Sequence, residues 1–198
     1  MARTRGRDGA VLILVSTITI LIPSIGLLMS LVLSIIGTVF IILAAKIIAD
    51  VSSRDDIFVK VLLGYTLYLI ADIVCSSALY SSIGSLLPVI YNPQSSDKHL
   101  RYFFEEIASS LGILIMALIM AIILYIVGAI FVYLGYSGIS EVSDLELFRT
   151  VGVMHLVGAI LLPILGIGAL ILFIAFILEV IAWSLLPSRS PLTPYTVL

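Results

Sequence analysis

Charged residues make up only 11% of this 198-residue sequence, against roughly 25% in soluble globular domains. Hydrophobic residues reach 62% and the mean hydropathy is +1.29, so a soluble domain is excluded. The single cysteine, Cys75, excludes an intramolecular disulfide and any cysteine-ligated zinc or iron–sulfur centre, leaving only an intermolecular bridge open. A net charge of −2 provides no basic field for nucleic acid. The two histidines, His99 and His155, stand too far apart for one site, and no G-x-S-x-G or H-E-x-x-H spacing occurs. The expectation is a non-enzymatic protein without cofactor or metal.

What the sequence does contain is long apolar runs. Residues 9–45 carry no charge, and as one helix they would extend about 55 Å, well past a hydrocarbon core of about 30 Å. Pro23, followed by Ser24 and Gly26, supplies a break, because proline lacks the amide hydrogen and disfavours helix in the residue before it. Arg3, Arg5 and Arg7 ahead of a short apolar core look like a signal peptide, yet no small-residue cleavage site follows and the run continues, so retention is expected. The same reasoning gives six helices at about 10–22, 25–48, 57–80, 107–136, 147–162 and 165–186, the first one short. They form an all-α, polytopic transmembrane bundle in one integral membrane domain over 1–198. Residues 1–9 form a basic N-terminal tail and 187–198 a C-terminal tail. The polar stretch 92–99 is the one sizeable loop.

Basic residues fall unevenly about these spans. One side collects Arg3, Arg5, Arg7, Lys46, Arg54, Lys60, Arg149 and Arg189, and the other only Lys98 and Arg101. The positive-inside rule makes the first side cytoplasmic, and an even helix count puts both termini there, in a multi-pass protein of the cell membrane. Tyr102, Phe103 and Phe104 are expected in an outer aromatic belt, and Tyr133, Tyr136 and Trp183 in an inner one.

The chain resembles itself. Residues 37–58 align with 128–148 after one deletion, matching Gly37 with Gly128, Phe40 with Phe131, Asp50 with Glu141, Ser52 with Ser143, Asp56 with Glu146 and Phe58 with Phe148. Both copies turn on the cytoplasmic side, which makes the repeat parallel. A weaker likeness pairs 18–26 with 158–166, each a proline turn on the outer side. In the acidic turns, Ser53 followed by Asp56 and Ser143 followed by Glu146 have capping-box spacing, flanked by Asp50 and Glu141. These carboxylates are read as caps and ion pairs with Lys46, Arg54 and Arg149, and no metal is assigned.

A longer pattern comes next: I-A-D-V-S-S-R-D-D-I-F from residue 48, then E-V-S-D-L-E-L-F-R-T-V-G-V-M-H-L-V-G-A-I-L-L-P-I-L-G-I-G from residue 141, and a closing helix to Ile181-Ala182-Trp183. Over roughly residues 20–186 the chain resembles the archaeal membrane family known as domain of unknown function 996. The resemblance implies an archaeal integral membrane protein and brings no activity or functional residues with it.

Ionisable residues inside a span are costly and are functional candidates by default. Three occur: Asp72, His155 and Glu179. Asp72 lies about 22 Å along the third span, with Tyr68 and Ser76 a turn to either side. His155 and Glu179 lie about 12 and 10 Å from the cytoplasmic ends of a proline-turn hairpin, so they are expected to meet there, with Trp183 one turn from Glu179. Two readings stand side by side: a hydrogen-bonded pair gluing two helices, or a proton or cation relay with Asp72 as a separate outer carboxylate. Small residues at Ser30, Ser34 and Gly37 and at Ala117, Ala121 and Gly128 predict central packing of the second helix on the fourth. The function expected is a non-enzymatic accessory, structural or interaction subunit of a membrane complex. Its partners would be the lipid bilayer and other membrane subunits or further copies of the chain. The alternative is a small proton- or cation-linked channel or carrier using Asp72, His155 and Glu179.

Overall fold

The chain folds, in a computed structural model, into six helices. They are α1 (Ala2–Thr19), α2 (Gly26–Ser52), α3 (Asp55–Tyr91), α4 (Asp97–Ser143), α5 (Leu147–Ile160) and α6 (Ile167–Leu185). The structure describes residues 1–19, 22, 25–91, 97–164 and 166–187, with side chains for all of these except 86–91, 97–103 and 106. Among the described residues there is no strand. The expected break at Pro23 and Ser24, residues 92–96 of the expected loop 92–99, the belt side chains Tyr102 and Phe103, and the tail beyond residue 187 lie outside the described residues. Residues 97–99, by contrast, are helix: α3 runs on to Tyr91 past the expected 80, and α4 begins at Asp97 ahead of the expected 107.

Four helices are long and apolar enough to cross a membrane: α2, Asp55–Ser85 of α3, Ile107–Ser143 of α4, and α6. The other two are shorter in their apolar part. α5 has 14 residues, about 21 Å, and α1 opens with Arg3, Arg5 and Arg7. The first nine residues are not a separate tail, because α1 begins at Ala2. Arg7 pairs with Asp8 at 3.0 Å, and Gly6 lies flat against the ring of Trp183, which docks the first turns as helix.

Each helix presents a stripe of buried residues three or four apart, which on a 3.6-residue period is one face. In α2 it runs Ser34, Gly37/Thr38, Ile41, Ala44/Ala45 and Ile48/Ala49; in α6, Gly168, Leu172, Ala175, Glu179 and Ala182/Trp183. Lipid gives no hydrophobic drive for helix association, so close packing of small residues has to supply it. Each helix packs on the next in chain order and α6 returns to α1, closing a circuit.

The expected central contact between α2 and α4 does not form beyond a marginal touch. Gly37 faces Gly9 of α1 instead: a methyl group on either would lie 2.6–2.7 Å from the other's carbonyl oxygen. Gly128 likewise faces Gly64 of α3, where an added methyl would approach the opposing carbonyl to 2.9–3.0 Å. Each glycine meets a glycine in its own hairpin, which brings those backbones together and directs α2 and α4 to different partners.

The acidic turns are built differently from the capping boxes their spacing suggests. Ser53 adopts a left-handed conformation (φ 55°, ψ 33°) as the C-cap of α2, and the Arg54 amide donates to the Ala49 carbonyl at 3.0 Å, closing a Schellman turn. An N-cap needs extended backbone, which Ser53 therefore lacks. Ser143 is the last residue of α4 and its hydroxyl donates to the Ile139 carbonyl at 2.6 Å. Glu146 stands at the N-cap of α5 without a side-chain cap bond, and Asp144 is the second left-handed residue (φ 54°).

Three carboxylates of these turns form ion pairs: Asp50 with Lys46 at 2.9 Å, Asp56 with Lys60 at 2.7 Å and Arg54 at 3.2 Å, and Glu141 with Arg54 at 2.6 Å. Asp56 precedes the apolar run that begins at Ile57, and hydrogen bonds from Lys60 first and Arg54 second lower its carboxyl from 3.8 to about 2.

At the other end of the bundle, the turn between α5 and α6 closes its own backbone groups. The Leu161, Leu162, Ile164 and Ile167 amides donate to the carbonyls of Val157, Ala159, Leu161 and Ile164. A bend at membrane depth requires such internal pairing. The aromatic belt expected at the cytoplasmic end is corrected for two of its members. Tyr136 and Trp183 are fully buried, because both fall on the core stripes of α4 and α6 and not on a lipid-facing side.

Candidate functional site

The stripes of α3, α4, α5 and α6 all carry polar residues, and these converge. His155 follows Phe148 and Val151/Gly152 on the buried face of α5, and Glu179 follows Leu172 and Ala175 on that of α6. Both are completely buried and meet, with Nε2 of His155 3.2 Å from Oε2 of Glu179. The approach expected from their shared depth is therefore present.

Sequence reasoning missed the tyrosines. Tyr65 of α3 and Tyr136 of α4 each donate a hydroxyl hydrogen bond of 2.6 Å to Oε1 of Glu179, and their own oxygens lie 2.7 Å apart. Tyr68 places its hydroxyl 3.4 Å from Nδ1 of His155. One carboxyl group thus links four helices, and His155 extends the link back to α3. The signal was present: counting back along α3 from Asp72 by threes and fours gives Tyr68, Tyr65, Val61 and Ile57, and all four are buried.

Aromatic rings fill the space around the network. Phe176 packs edge-on to His155 with ring centroids 5.0 Å apart. Phe148 and Trp183 do the same for each other at 4.9 Å, and both stand edge-on to Tyr136. Burial among rings strengthens the hydrogen bonds and raises the cost of leaving any partner unpaired.

Asp72 is set apart from this pair. Its partners are not the flanking residues of its own helix but Tyr125 of α4, which donates to Oδ1, and Ser34 of α2, which donates to Oδ2 at 3.2 Å. Ser34, expected to serve close packing of α2 on α4, is thus a polar ligand of α3. The rings of Tyr68 and Tyr125 pack tilted at 39° with centroids 5.1 Å apart, so the His155–Glu179 network and the Asp72 pair touch through tyrosine rings without a hydrogen bond between them among those described.

Of the acidic-turn residues, Asp50, Asp56 and Glu141 serve the ion pairs above, and Ser53 and Ser143 terminate helices. Two cavities lie at the same end. One, of about 280 Å³, is lined by Met1, Arg3, Ile47, Val142 and Leu186 among others. The second, of about 400 Å³, is lined by Tyr133, Ser137, Glu141, Asp144 and Arg149 among others. Neither is lined by Asp72, His155 or Glu179.

Comparison with known proteins agrees with this picture at the level of family. An uncharacterized protein of the archaeon Methanocaldococcus jannaschii is 28% identical over 158 residues, covering 79% of this chain and 80% of that protein. No solved structure matches the chain. The family model described as protein of unknown function DUF996 matches residues 33–177, which contain Asp72, His155 and all the tyrosines of the network, and the chain belongs to that family.

Proposed function

We propose that the chain is a multi-pass membrane protein with both termini and both acidic turns in the cytoplasm, acting as a non-enzymatic accessory or interaction subunit of a membrane complex. The observation that carries this reading is the uncovered length of α4. Leu111, Ile113, Ile115, Met116, Leu118, Ile119, Met120 and Ile123 are all exposed, which leaves only the side of Ser110, Leu114, Ala117 and Ala121 covered. The uncharged run from 107 to 136 measures about 45 Å, against about 30 Å of hydrocarbon. Tilt within the usual range takes up only part of that excess. Protein contacts, from other subunits or further copies of the chain, cover the remainder.

A photo-crosslinking residue at position 116 or 120, used in native membranes, tests it. A discrete protein adduct is expected, together with comigration of the adduct partner after mild solubilisation. Lipid adducts alone, with a monomer in native nanodiscs, overturn it.

The second reading, a small proton- or cation-linked carrier, is favoured by the line of polar groups from Asp72 to Glu179. Proteoliposome flux that is abolished by Asp72→Asn and by Glu179→Gln supports it. Flux unchanged by both eliminates it.

A further inference from the structure

His155 stands between two oxygens that constrain its protonation. Its Nε2 faces Oε2 of Glu179 at 3.2 Å and its Nδ1 faces the Tyr68 hydroxyl at 3.4 Å. Oε1 of Glu179 already accepts from Tyr65 and Tyr136. Consider first a carboxylate with a neutral imidazole. The carboxylate offers only lone pairs, so the imidazole hydrogen must sit on Nε2, Nδ1 is an acceptor, and Tyr68 donates to it.

Now add one proton to the pair. If the imidazole takes it, both ring nitrogens carry hydrogen. If Oε2 takes it, that O–H points at Nε2 and the ring hydrogen moves to Nδ1. Either way Nδ1 becomes a donor, the Tyr68 oxygen must accept, and the Tyr68 hydroxyl hydrogen is released to find another acceptor. The outcome does not depend on which group of the pair holds the proton.

The groups available to receive that hydrogen are few. Tyr65 is engaged with Glu179 and Tyr136. The next acceptor along α3 is Asp72, one turn beyond Tyr68, and the ring of its partner Tyr125 packs tilted against the Tyr68 ring with centroids 5.1 Å apart. The ionisable groups facing this region are Tyr65, Tyr68, Asp72 and Cys75 on α3, Tyr125 and Tyr136 on α4, His155 on α5 and Glu179 on α6. α2 contributes the hydroxyl of Ser34. Among the described residues no lysine or arginine bonds to either carboxyl group.

We propose that Tyr68 is a proton-responsive relay: gain of one proton by the His155–Glu179 pair reverses the Tyr68–His155 hydrogen bond and turns the Tyr68 hydroxyl toward the Asp72–Tyr125 pair. Two carboxyl sites that share no hydrogen bond are thereby made to sense each other's protonation. The relay rests on the carrier reading for its purpose, since a proton-linked carrier needs its inner and outer acids to act in concert.

The test uses the full chain in lipid bilayers and solid-state NMR, with His155 distinguished from His99 by a His99→Gln variant. Across about pH 4 to 9, His155 Nδ1 is expected to change from acceptor to donor, with the Tyr68 Cζ resonance moving in the same step. No change at Nδ1, or a Tyr68 resonance that stays still while Nδ1 changes, overturns the relay. The second arm follows the Asp72 carboxyl midpoint in wild type, Glu179→Gln, Tyr68→Phe and the double variant. Glu179→Gln is expected to move the midpoint by about one pH unit when Tyr68 is present and by much less in the Tyr68→Phe background. Equal shifts in the two backgrounds mean a through-space field and overturn the relay. If Tyr68→Phe does not fold, the wild-type resonances decide alone. A relay detected in a protein that carries no flux would sink the carrier reading and leave the coupling standing.

Discussion

Arg54 and Glu141, 87 positions apart in sequence, meet at 2.6 Å. Arg54 lies in the turn between α2 and α3 and Glu141 in the last turn of α4, so the contact ties both acidic turns to one end of the bundle. Single cysteines at 54 and 141, in a Cys75→Ser background, are therefore expected to react with a membrane-impermeant maleimide from the same side of sealed vesicles. Labelling from opposite sides would break the architecture. The pair itself adds little stability, because both side chains are substantially exposed, at 36% and 66%. Glu141→Gln is expected to change unfolding in detergent by less than about 1 kcal/mol.

Much of the arrangement is legible in the amino-acid sequence. The runs of apolar residues locate α2, α3, α5 and α6 to within four positions at the end that carries the acidic turns, but not α1, which starts at Ala2, or α4, which runs on to Ser143; the matched depths of His155 and Glu179 locate their contact. The tyrosines were harder to read, because Tyr136 near a span end fits an interfacial belt as well as a buried donor. What separates the two is the rotational register of α4, set by glycine contacts with α3 that involve residues distant in sequence. The same cause misassigned Gly37 and Gly128: small residues mark a face for close approach without naming the partner helix.

Glycine contacts give the second prediction. A methyl group at Gly64 would lie 2.8 Å from the Val132 amide nitrogen and 2.9 Å from the Gly128 carbonyl, backbone atoms that cannot rotate away. Gly64→Ala must push α3 off α4 and is expected to cost about 2 kcal/mol or more. Gly84 and Gly112 lie in the same two helices with nothing within 4 Å of an added methyl. Alanine there is expected to be neutral or to stabilise by roughly 0.5–1 kcal/mol. Thermal melts in one detergent check the contrast, and equal losses at all three positions would contradict the packing.

Removing the acceptor at the centre should be more damaging than changing its charge. Glu179→Leu leaves Tyr65 and Tyr136 only each other to bond and strands one hydroxyl hydrogen and the Nε2 of His155 in a dry interior, at a cost on the order of 3–5 kcal/mol. Glu179→Gln keeps an oxygen for both tyrosines and a donor toward Nε2, and should cost about 1 kcal/mol. Denaturant titration of the two variants in mixed micelles measures the difference. A glutamine variant as weak as the leucine one would mean that the negative charge itself holds the four helices together.

Asp56 gives a prediction in pH. Its carboxyl is held at about 2, below the 3.8 of an unpaired aspartate, by Lys60 and Arg54. A lowered folded-state value stabilises the protein above the unfolded one, and the contribution fades as pH falls from about 3.8 through about 2. The side chain is 43% exposed, so solvent screening keeps the effect below about 1 kcal/mol. Wild type is expected to exceed Asp56→Asn by a constant small margin above about pH 5, with the two converging toward pH 2. Paired thermal melts across that range read it directly, and a margin that persists at pH 2 would place its origin elsewhere than in the carboxylate.

The packing of α1 on α6 that closes the helix circuit includes one contact that fluorescence reports without a label. A methyl group at Gly6 would fall 2.2 Å from the Cδ2 and Cε3 atoms of Trp183, the sole tryptophan of the chain. The ring cannot yield, since it is fully buried and packed edge-on against Phe148 and Tyr136. Gly6→Ala is therefore expected to lever the first turns of α1 away from α6 and admit water to the indole, giving a red-shifted emission and stronger quenching by acrylamide. Ala10→Gly, further along the same helix, leaves the ring covered and should keep the wild-type spectrum. An unchanged emission in Gly6→Ala would mean that α1 does not seal this end, and the burial of the Tyr136 and Glu179 network would then have to come from α2 and lipid.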